Sequence, residues 1–229
     1  MGQSSLNYSI KTESNLLIGG TPRSFEIGGI DQYTVTNFEG EPIIPASTIK
    51  GCFRAIVKEE NMENVIITNA YRRFFESQKE EFNEYVKSNG FDDKEQKRLL
   101  QRFDDATEEK LPLHCFGSEG FNAMPKLIFR DCHIVEKREN KDYFSIDSKN
   151  TIDTKDDKIH AIPRKYQTVR PNIEFRGTID FYQVEKLGIE DKVWQEYIES
   201  LFLKLNSGIY RIGNSKSRGY GKVHLQVIK

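Results

Sequence analysis

Residues 44–54, IPASTIKGCFR, carry side chains that suit a phosphate group. A helix that starts here would present unpaired N–H groups and a partial positive charge at its first turn. Ser47 and Thr48 add hydroxyl groups to that turn, and Lys50 and Arg54 lie four residues apart on one helix face. Together these features fit a nucleic-acid backbone. The alternative is a plain capped helix with two solvated cations.

A carboxylate, Asp31, follows two glycines and an isoleucine in the segment EIGGIDQ, residues 26–32. Beside a bound phosphodiester, a single carboxylate could act as general base on a 2′-hydroxyl or hold a hydrated divalent metal. The alternative is that Asp31 only shapes a turn.

The segment PRKYQTVRP, residues 163–171, surrounds Tyr166 with Arg164, Lys165 and Arg170. Basic residues around an aromatic ring are typical of single-stranded RNA binding, because the ring stacks on a base while the cations contact phosphates. A solvated edge strand is the alternative interpretation.

The segment GNSKSRGYG, residues 213–221, combines three glycines with Lys216, Ser217, Arg218 and Tyr220. The glycines allow close backbone approach, the polar residues could bind phosphate, and the tyrosine could stack on a base. The spacing matches neither the phosphate loop GxxxxGK[ST] nor the dinucleotide fingerprint GxGxxG. A glycine-rich hairpin connection remains the alternative.

Composition favours a globular protein with a localised basic region. The 229 residues are 37% hydrophobic and 30% charged, and no apolar run is long enough to span a membrane. Residues 161–229 hold 12 Lys/Arg against 7 Asp/Glu, whereas residues 61–110 hold 9 against 12. The first residues lack the pattern of a secretory signal, and the three cysteines form no CxxC pair. We therefore expect a reducing, cytoplasmic location and no structural zinc.

The order of predicted elements indicates an α+β fold. We expect strands at 6–18 and 126–136, a strand within 163–184 with Phe175, Thr178 and Ile179 toward its centre, an extended stretch at 30–45, and a last strand after the final glycine-rich loop. Helices are expected after Pro45, capped by Ala46 or Ser47, within 60–110 with a break at 88–93, and at 189–208. Residues 19–29 and 114–120 are expected to be a loop and a turn, and 137–158 a polar loop or extended hairpin. This order suits a ferredoxin-like, RRM-like core.

Six segments, taken in order, resemble the RAMP superfamily of CRISPR-associated proteins. The resemblance is strongest to the repeated backbone subunit of type III-A effector complexes. The segments are LLIGG (16–20), EIGGID (26–31), IPASTIKGCFRA (44–55), CFGS (115–118), PRKYQTVRPNIEF (163–175) and GNSKSRGYGKV (213–223). The match implies a single RAMP domain over residues 1–229, with a helical insertion at 60–112 and a projecting thumb hairpin at 137–160.

The resemblance also implies a function in antiviral defence. Such subunits stack along a CRISPR guide RNA, associate with one another, with other RAMP subunits and with a large subunit, and cleave complementary target RNA. Asp31 matches the catalytic position, and the family uses Mg²⁺ or another divalent metal that Asp31 could hold through water. Small residues beside Lys50, namely Gly51 and Cys52, would let RNA approach closely. The expected RNA-binding residues are Ser47, Thr48, Lys50, Arg54, Arg164, Lys165, Arg170, Lys216, Ser217, Arg218 and Tyr220.

Two other functions stay open. The chain could be a non-catalytic RNA-binding scaffold or filament-capping RAMP subunit of the same complex, in which Asp31 has no role in cleavage. It could also be a metal-independent endoribonuclease that processes CRISPR RNA with a histidine as acid or base. Of the four histidines, only His224 follows a basic, glycine-rich segment, and it falls on a predicted strand.

Overall fold

The structure, a computed structural model, describes residues 4–20, 29–108, 111–137, 142–155 and 158–228. Its strands are β1 (Ser5–Thr12), β2 (Ile43–Ile44), β3 (Lys126–Phe129), β4 (Cys132–Ile134), β5 (Phe144–Lys155), β6 (Lys158–Val169), β7 (Glu174–Tyr182) and β8 (Val223–Val227). Its α-helices are α1 (Ala46–Glu59), α2 (Val65–Ser88), α3 (Asp93–Thr107) and α4 (Asp191–Asn206). Short 3₁₀ helices cover Leu111–Phe116, Val184–Leu187 and Lys216–Arg218. The predicted α+β class is confirmed.

The larger sheet has six strands in the order β2-β4-β7-β1-β8, with β3 also paired to β7. Strands β1 and β8 run antiparallel with Tyr8 opposite Val227, and β4 runs antiparallel to both β2 and β7. The sequence of β1, α1, β4, β7, α4 and β8 therefore follows the β-α-β-β-α-β order expected of a ferredoxin-like core.

The chain divides into two compact units. The first unit comprises Met1–Ser5, Phe53–Ile128 and Ile179–Leu201, and the second comprises Leu6–Cys52, Phe129–Thr178 and Phe202–Lys229. No helix within the described ranges is long and apolar enough to cross a membrane. The single domain with two insertions stays a prediction.

Helices and aromatic side chains build the first unit. Asn64 caps α2 by accepting hydrogen bonds from two backbone N–H groups, and Asp92 caps α3 in the same way from the N–H of Glu95. Tyr71 lies edge-on to the buried Trp194, with ring centroids 6.4 Å apart, and donates its hydroxyl to the carbonyl oxygen of Pro125 at 2.8 Å. Both helices lie inside the predicted insertion at 60–112.

The second unit has a buried face on β1. Leu6, Tyr8 and Ile10 are buried while Asn7 and Lys11 are exposed, and Ser9, which interrupts this alternation, is buried as well. In the two units together, the three cysteines, Cys52, Cys115 and Cys132, are buried free thiols, as predicted.

A separate two-stranded sheet corresponds to the predicted thumb and is called the thumb hairpin here. Strands β5 and β6 pair along their whole length, from Phe144 opposite Val169 to Lys155 opposite Lys158. The hairpin therefore begins inside the predicted range 137–160 but continues to residue 169. Residues 138–141 and 156–157, which belong to that prediction, lie outside the described residues, as do residues 21–28 of the predicted loop at 19–29.

Several predicted boundaries were wrong. The strand expected at 6–18 ends at Thr12, and the N–H groups of Glu13 and Ser14 donate to the carbonyl oxygen of Lys222 instead. The strand expected at 126–136 is divided into β3 and β4, whereas the strand expected within 163–184 is present as β7. The turn expected at 114–120 begins as the 3₁₀ helix Leu111–Phe116.

Candidate nucleic-acid interface

Asp31 lies at the base of the thumb hairpin, where it pairs with the backbone of Lys165 in β6. The Asp31 N–H donates to the Lys165 carbonyl oxygen at 2.9 Å, and the Lys165 N–H donates to Asp31 Oδ2 at 2.6 Å. Gln32 continues the contact through its carbonyl oxygen, which accepts from the N–H of Gln167 at 2.9 Å. Asp31 is exposed to solvent. The fold therefore presents a carboxylate at a fixed position beside the basic segment of β6.

The predicted basic residues of this segment differ in what they contact. Arg164 and Lys165 are exposed and point to opposite faces of β6, because they are adjacent in a strand. Arg170 closes the start of the hairpin: its Nε donates to the carbonyl oxygen of Phe144 at 2.8 Å and lies 3.0 Å from a carboxylate oxygen of Asp142. Arg170 Nε is thus engaged within the protein, which the sequence did not indicate.

The glycine-rich loop, residues 213–221, is held against the segment at 15–17. The N–H of Asn214 donates to the Leu17 carbonyl oxygen at 2.7 Å, and that of Gly221 donates to the Asn15 carbonyl oxygen at 2.9 Å. Gly213 has a φ of +76°, and a Cβ there would collide with the Leu17 carbonyl group. This close contact explains the glycine and fixes the loop.

The tip of the glycine-rich loop is polar and exposed. Lys216, Ser217 and Arg218 form a single 3₁₀ turn, and all three side chains are exposed to solvent. They belong to the same unit as Asp31, Arg164 and Lys165. The loop is therefore able to offer cations and a hydroxyl group to a phosphate, as predicted from its sequence.

Tyr220 departs from its predicted role as a stacking platform. The residue is only 6% exposed and lies in a buried cluster with Leu17 and Tyr166. Its hydroxyl donates to Asp147 Oδ2, and Lys149 Nζ lies 3.6 Å from the centroid of its ring. Burial, together with the hydrogen bond to Asp147, raises the pKa of Tyr220 above its ordinary value. A base stacked on this ring would have to displace these neighbours, so the structure does not support that contact.

The first turn of α1 is capped by a distant acid rather than by Ala46 or Ser47, so the cap prediction was wrong. The helix begins at Ala46, whose N–H donates to Asp131 Oδ1 at 2.7 Å. A carboxylate at this end stabilises the helix dipole but occupies an N–H group that was expected to face phosphate. Ser47 is exposed, and Thr48 and Lys50 are half-buried. A phosphate here would contact these side chains instead.

Farther along α1, two predictions need correction. Cys52 is buried, with its Sγ 3.8 Å from the carbonyl oxygen of Arg211, so it does not form part of an open surface. Arg54 is half-buried and Nη1 donates to the carbonyl oxygen of Leu113 at 3.4 Å. By contrast, Gly51 is exposed, and a Cβ at this position would meet no heavy atom within 4 Å. Gly51 is therefore the small residue that could admit RNA.

The described side chains of this protein provide few ligands for a metal ion. Across the residues that the structure describes, no three His, Cys, Asp or Glu side chains group in a way that could hold one. The donor set at Asp31 is a single carboxylate, with one oxygen already accepting from the Lys165 N–H. This set fits Mg²⁺, which proteins commonly bind through one or two carboxylates together with substrate phosphates.

Family comparison agrees with the fold and with the order of these segments. A profile of the RAMP superfamily matches residues 9–224, which is nearly the whole chain. The chain belongs to the RAMP superfamily. The predicted membership is thereby confirmed, and the match includes every segment placed above at the candidate interface.

Two relatives of this RAMP protein are named CRISPR system Cms endoribonuclease Csm3. The one from Methanocaldococcus jannaschii is 25% identical over 242 residues, covering 100% of this chain and 80% of the relative. The one from Streptococcus thermophilus is 25% identical over 232 residues, covering 96% of this chain and 86% of the relative. The similarity therefore extends over segments of both units and over both predicted insertions.

A solved structure shares the fold at lower identity. A chain in the cryo-EM structure of the Type III-B Cmr-beta bound to cognate target RNA has a TM-score of 0.52 and 18% identity, and the match covers 98% of this RAMP protein. The RAMP protein spans 60% of that chain's length. Cmr6 from Pyrococcus furiosus, at 19% identity and a TM-score of 0.48, matches over 98% of this chain and 99% of its own.

Proposed function

We propose that this RAMP protein is a guide-RNA-binding backbone subunit of a type III CRISPR effector complex and cleaves complementary target RNA in a metal-dependent manner. The observation that carries the proposal is the position of Asp31, an exposed carboxylate bonded to the thumb hairpin next to Arg164 and Lys165. Relatives over the full length named as Csm3 endoribonucleases support the same assignment.

The side chains at this site have complementary tasks in the proposed reaction. A nucleotide that is unstacked from its neighbours can align its 2′-hydroxyl with the adjacent phosphorus for in-line attack. Asp31 would accept the hydroxyl proton as the new 2′-O–P bond forms and the P–O5′ bond breaks, and water would protonate the departing 5′-oxygen. The cations Arg164 and Lys165 would offset negative charge that develops on the phosphate. Mg²⁺ or another divalent metal, when held by Asp31, directly or through water, and by RNA phosphates, would add further charge stabilisation.

The proposed partners follow from this assignment. They are the CRISPR guide RNA, a complementary target RNA, further copies of this chain along the guide, other RAMP subunits and a large subunit. The basic residues expected to hold RNA are those of α1, of β6 and of the glycine-rich loop. The complex would act in the cytoplasm, in antiviral defence.

A second candidate function has one observation in its favour. Because Asp31 Oδ2 accepts the Lys165 N–H, the carboxylate has a structural task that a non-catalytic scaffold or capping subunit would also need. The experiment must therefore separate the hydrogen bond from the charge. Asp31→Asn keeps an oxygen that can accept the Lys165 N–H and removes the charge, whereas Asp31→Ala removes both.

The test measures cleavage of a guide-complementary RNA by the assembled complex in Mg²⁺. Complexes that contain the wild type or either Asp31 variant are compared. The control is Asp105→Asn, which changes an exposed acid of α3. A catalytic Asp31 predicts that both substitutions slow cleavage by about 10²-fold or more. Binding of target RNA by Asp31→Asn should stay at the wild-type level, and chelation of the metal should stop cleavage by wild type. If Asp31→Asn cuts at the wild-type rate while Asp31→Ala loses stability, the residue is structural and the scaffold assignment replaces ours.

A further inference from the structure

One face of the thumb hairpin gathers groups that the RNA-binding segments did not include. Side chains alternate along a strand, so Asp147 and Lys149 of β5 share a face with their cross-strand partners, Tyr166 and Arg164. Tyr220 of the glycine-rich loop lies against this face, since its ring packs with Tyr166 and its hydroxyl bonds to Asp147. The hairpin and the loop are thus joined by side chains.

Lys149 lies among like charges. It is directly opposite Arg164 in the strand register, an arrangement that destabilises a strand pair when nothing compensates it. Arg218 precedes Tyr220 by two residues, and Lys149 Nζ lies 3.6 Å from the centroid of the Tyr220 ring. Burial lowers the pKa of Lys149, the charge of Asp147 opposes this, and the charge of Arg218 lowers the pKa further.

The acid on this face is already committed to other partners. Asp147 Oδ2 accepts from the Tyr220 hydroxyl and from Asn15 Nδ2 at 2.8 Å, and Thr168 Oγ1 lies at 3.4 Å. Within the part of the chain that the structure describes, no ion pair joins Arg164 or Arg218 to a carboxylate. Asp147 keeps its negative charge while it accepts these hydrogen bonds, so three cations share the face with one carboxylate, and an external anion would relieve the remaining repulsion.

We propose that Lys149, Arg164 and Arg218 hold one phosphate of a bound RNA strand, and that the Tyr220–Asp147 hydrogen bond positions Lys149 for it. Arginine suits this task because its planar guanidinium can bind phosphate through two parallel hydrogen bonds, while lysine acts as a point charge. One phosphate held in this way ties the thumb hairpin to the glycine-rich loop. The inference rests on the proposed RNA binding. It adds a phosphate site, a positioning role for Tyr220, and a connection between the thumb hairpin and the glycine-rich loop through the bound phosphate.

The first test measures how RNA affinity depends on salt. The full chain is titrated onto a short, fluorescently labelled single-stranded RNA at several salt concentrations between about 50 and 200 mM, and log K is plotted against log[salt]. The variants are Lys149→Met, Arg164→Met and Arg218→Met, each alone and all three combined. Each removes a charge and keeps an unbranched side chain. The control is Lys186→Met with Lys192→Met, two exposed lysines of the first unit.

Sharing of one phosphate has a distinct signature. The single variants should weaken binding several-fold but change the slope little, because the remaining cations still neutralise the phosphate. The triple variant, which leaves none of the three cations, should reduce the magnitude of the slope by about 0.7, the value for one phosphate contact on a single strand. Two or more separate contacts would instead give about 1.4 or more, and that result would overturn the proposal. The control pair should leave both affinity and slope unchanged.

The second test asks whether Tyr220 acts through Lys149. Tyr220→Phe keeps the ring beneath the ammonium group and removes the hydroxyl that bonds to Asp147. We expect it to weaken RNA binding in the wild-type background and to add nothing in the Lys149→Met background. Lys149→Arg, which retains the charge, should restore most of the affinity lost in Lys149→Met. An equal effect of Tyr220→Phe in both backgrounds would show a general structural role and refute the positioning claim.

The source of the anion is tested in the same titrations. Inorganic phosphate added at constant ionic strength should not displace the RNA if the site binds a phosphodiester in a strand. Displacement would assign the site to free phosphate and overturn the proposal.

If wild type binds no RNA, the proposed function fails and the inference fails with it. If wild type binds RNA and the triple variant binds with an unchanged slope, only the inference is refuted.

Discussion

Gly51 provides a test that separates the stability of α1 from its contact with RNA. Glycine is unfavourable inside a helix, and this one lies well within α1, exposed, with open space around the position of a Cβ. None of the residues that the structure describes therefore requires glycine at this position for packing. If RNA passes over this surface beside Lys50, the absence of a side chain has a functional reason.

The expected effects of Gly51→Ala on stability and on binding have opposite signs. Alanine is favoured over glycine in a helix interior by about 0.8–1.0 kcal/mol, and no clash reduces this gain. For a chain of this size, 1 kcal/mol corresponds to a rise in Tm of about 2–4 °C. The added methyl group would push an RNA backbone away from Lys50, and we expect this to remove about one phosphate contact, seen as a loss of about 0.7 in the salt slope.

The assay pairs thermal unfolding of the RNA-free chain with RNA titrations at several salt concentrations. Ser77→Ala, at an exposed position of α2, is the control, because it also raises helix propensity but lies outside every predicted RNA-binding segment. It should raise Tm slightly without changing RNA affinity. A Gly51→Ala protein that is more stable and binds RNA as wild type does would refute the idea that RNA lies against this face of α1.

Three further outcomes follow from the buried core of the sheet and of the helical unit. Gly177→Ala places a Cβ 2.5 Å from Cys132 Sγ and 2.8 Å from Tyr8 Cζ, so it should lower the free energy of unfolding by about 1–3 kcal/mol in thermal melts. Cys132→Ala should recover part of this loss, and additive effects of the two substitutions would contradict this account. Burial raises the pKa of the Cys132 thiol to about 11; the hydrogen bond with Tyr8 opposes this rise and the charge of Asp131 adds to it. This thiol should therefore resist alkylation at about pH 8 until the protein unfolds. Rapid labelling of the native chain would contradict the prediction. Burial also raises the pKa of Tyr8 and Tyr71 above the ordinary value of 10.0, so the unfolded chain loses these protons first as pH rises. The free energy of unfolding, measured by urea denaturation, should therefore fall above about pH 10. A free energy of unfolding that does not change with pH in this range would be inconsistent with neutral, buried phenols.

Elements specified by local pattern were predicted well from the sequence. Pro45 and the helical spacing of Ile49, Phe53 and Ile56 indicated the start and the buried face of α1, and all three of these side chains are buried. The helix expected at 189–208 is present as α4. Such features depend on neighbours within one or two turns, so the sequence contains what is needed to predict them.

Features that depend on distant partners were not predicted. The cap of α1 comes from Asp131, 85 residues beyond Ala46, and no local rule selects it over Ser47. The strand expected at 126–136 is interrupted after Phe129, where the N–H of Arg130 donates to the carbonyl oxygen of Thr178, 48 residues away. Lys149 was overlooked because the segment around it is polar throughout, and only its register opposite Arg164 gives it significance.

The sequence alone determined which chemistry is available: one acidic residue in a glycine-rich segment, cations in three segments, and an order of motifs shared with the RAMP superfamily. Residue types and local periodicity are sufficient for that, because they depend on the chain within a few residues. The tertiary structure alone decided which of these groups meet. Asp31 reaches β6 through a bond between residues 134 apart, and Tyr220 becomes a buried link instead of an exposed ring. Strand register and long-range packing fix both outcomes, and neither is specified by any short stretch of sequence.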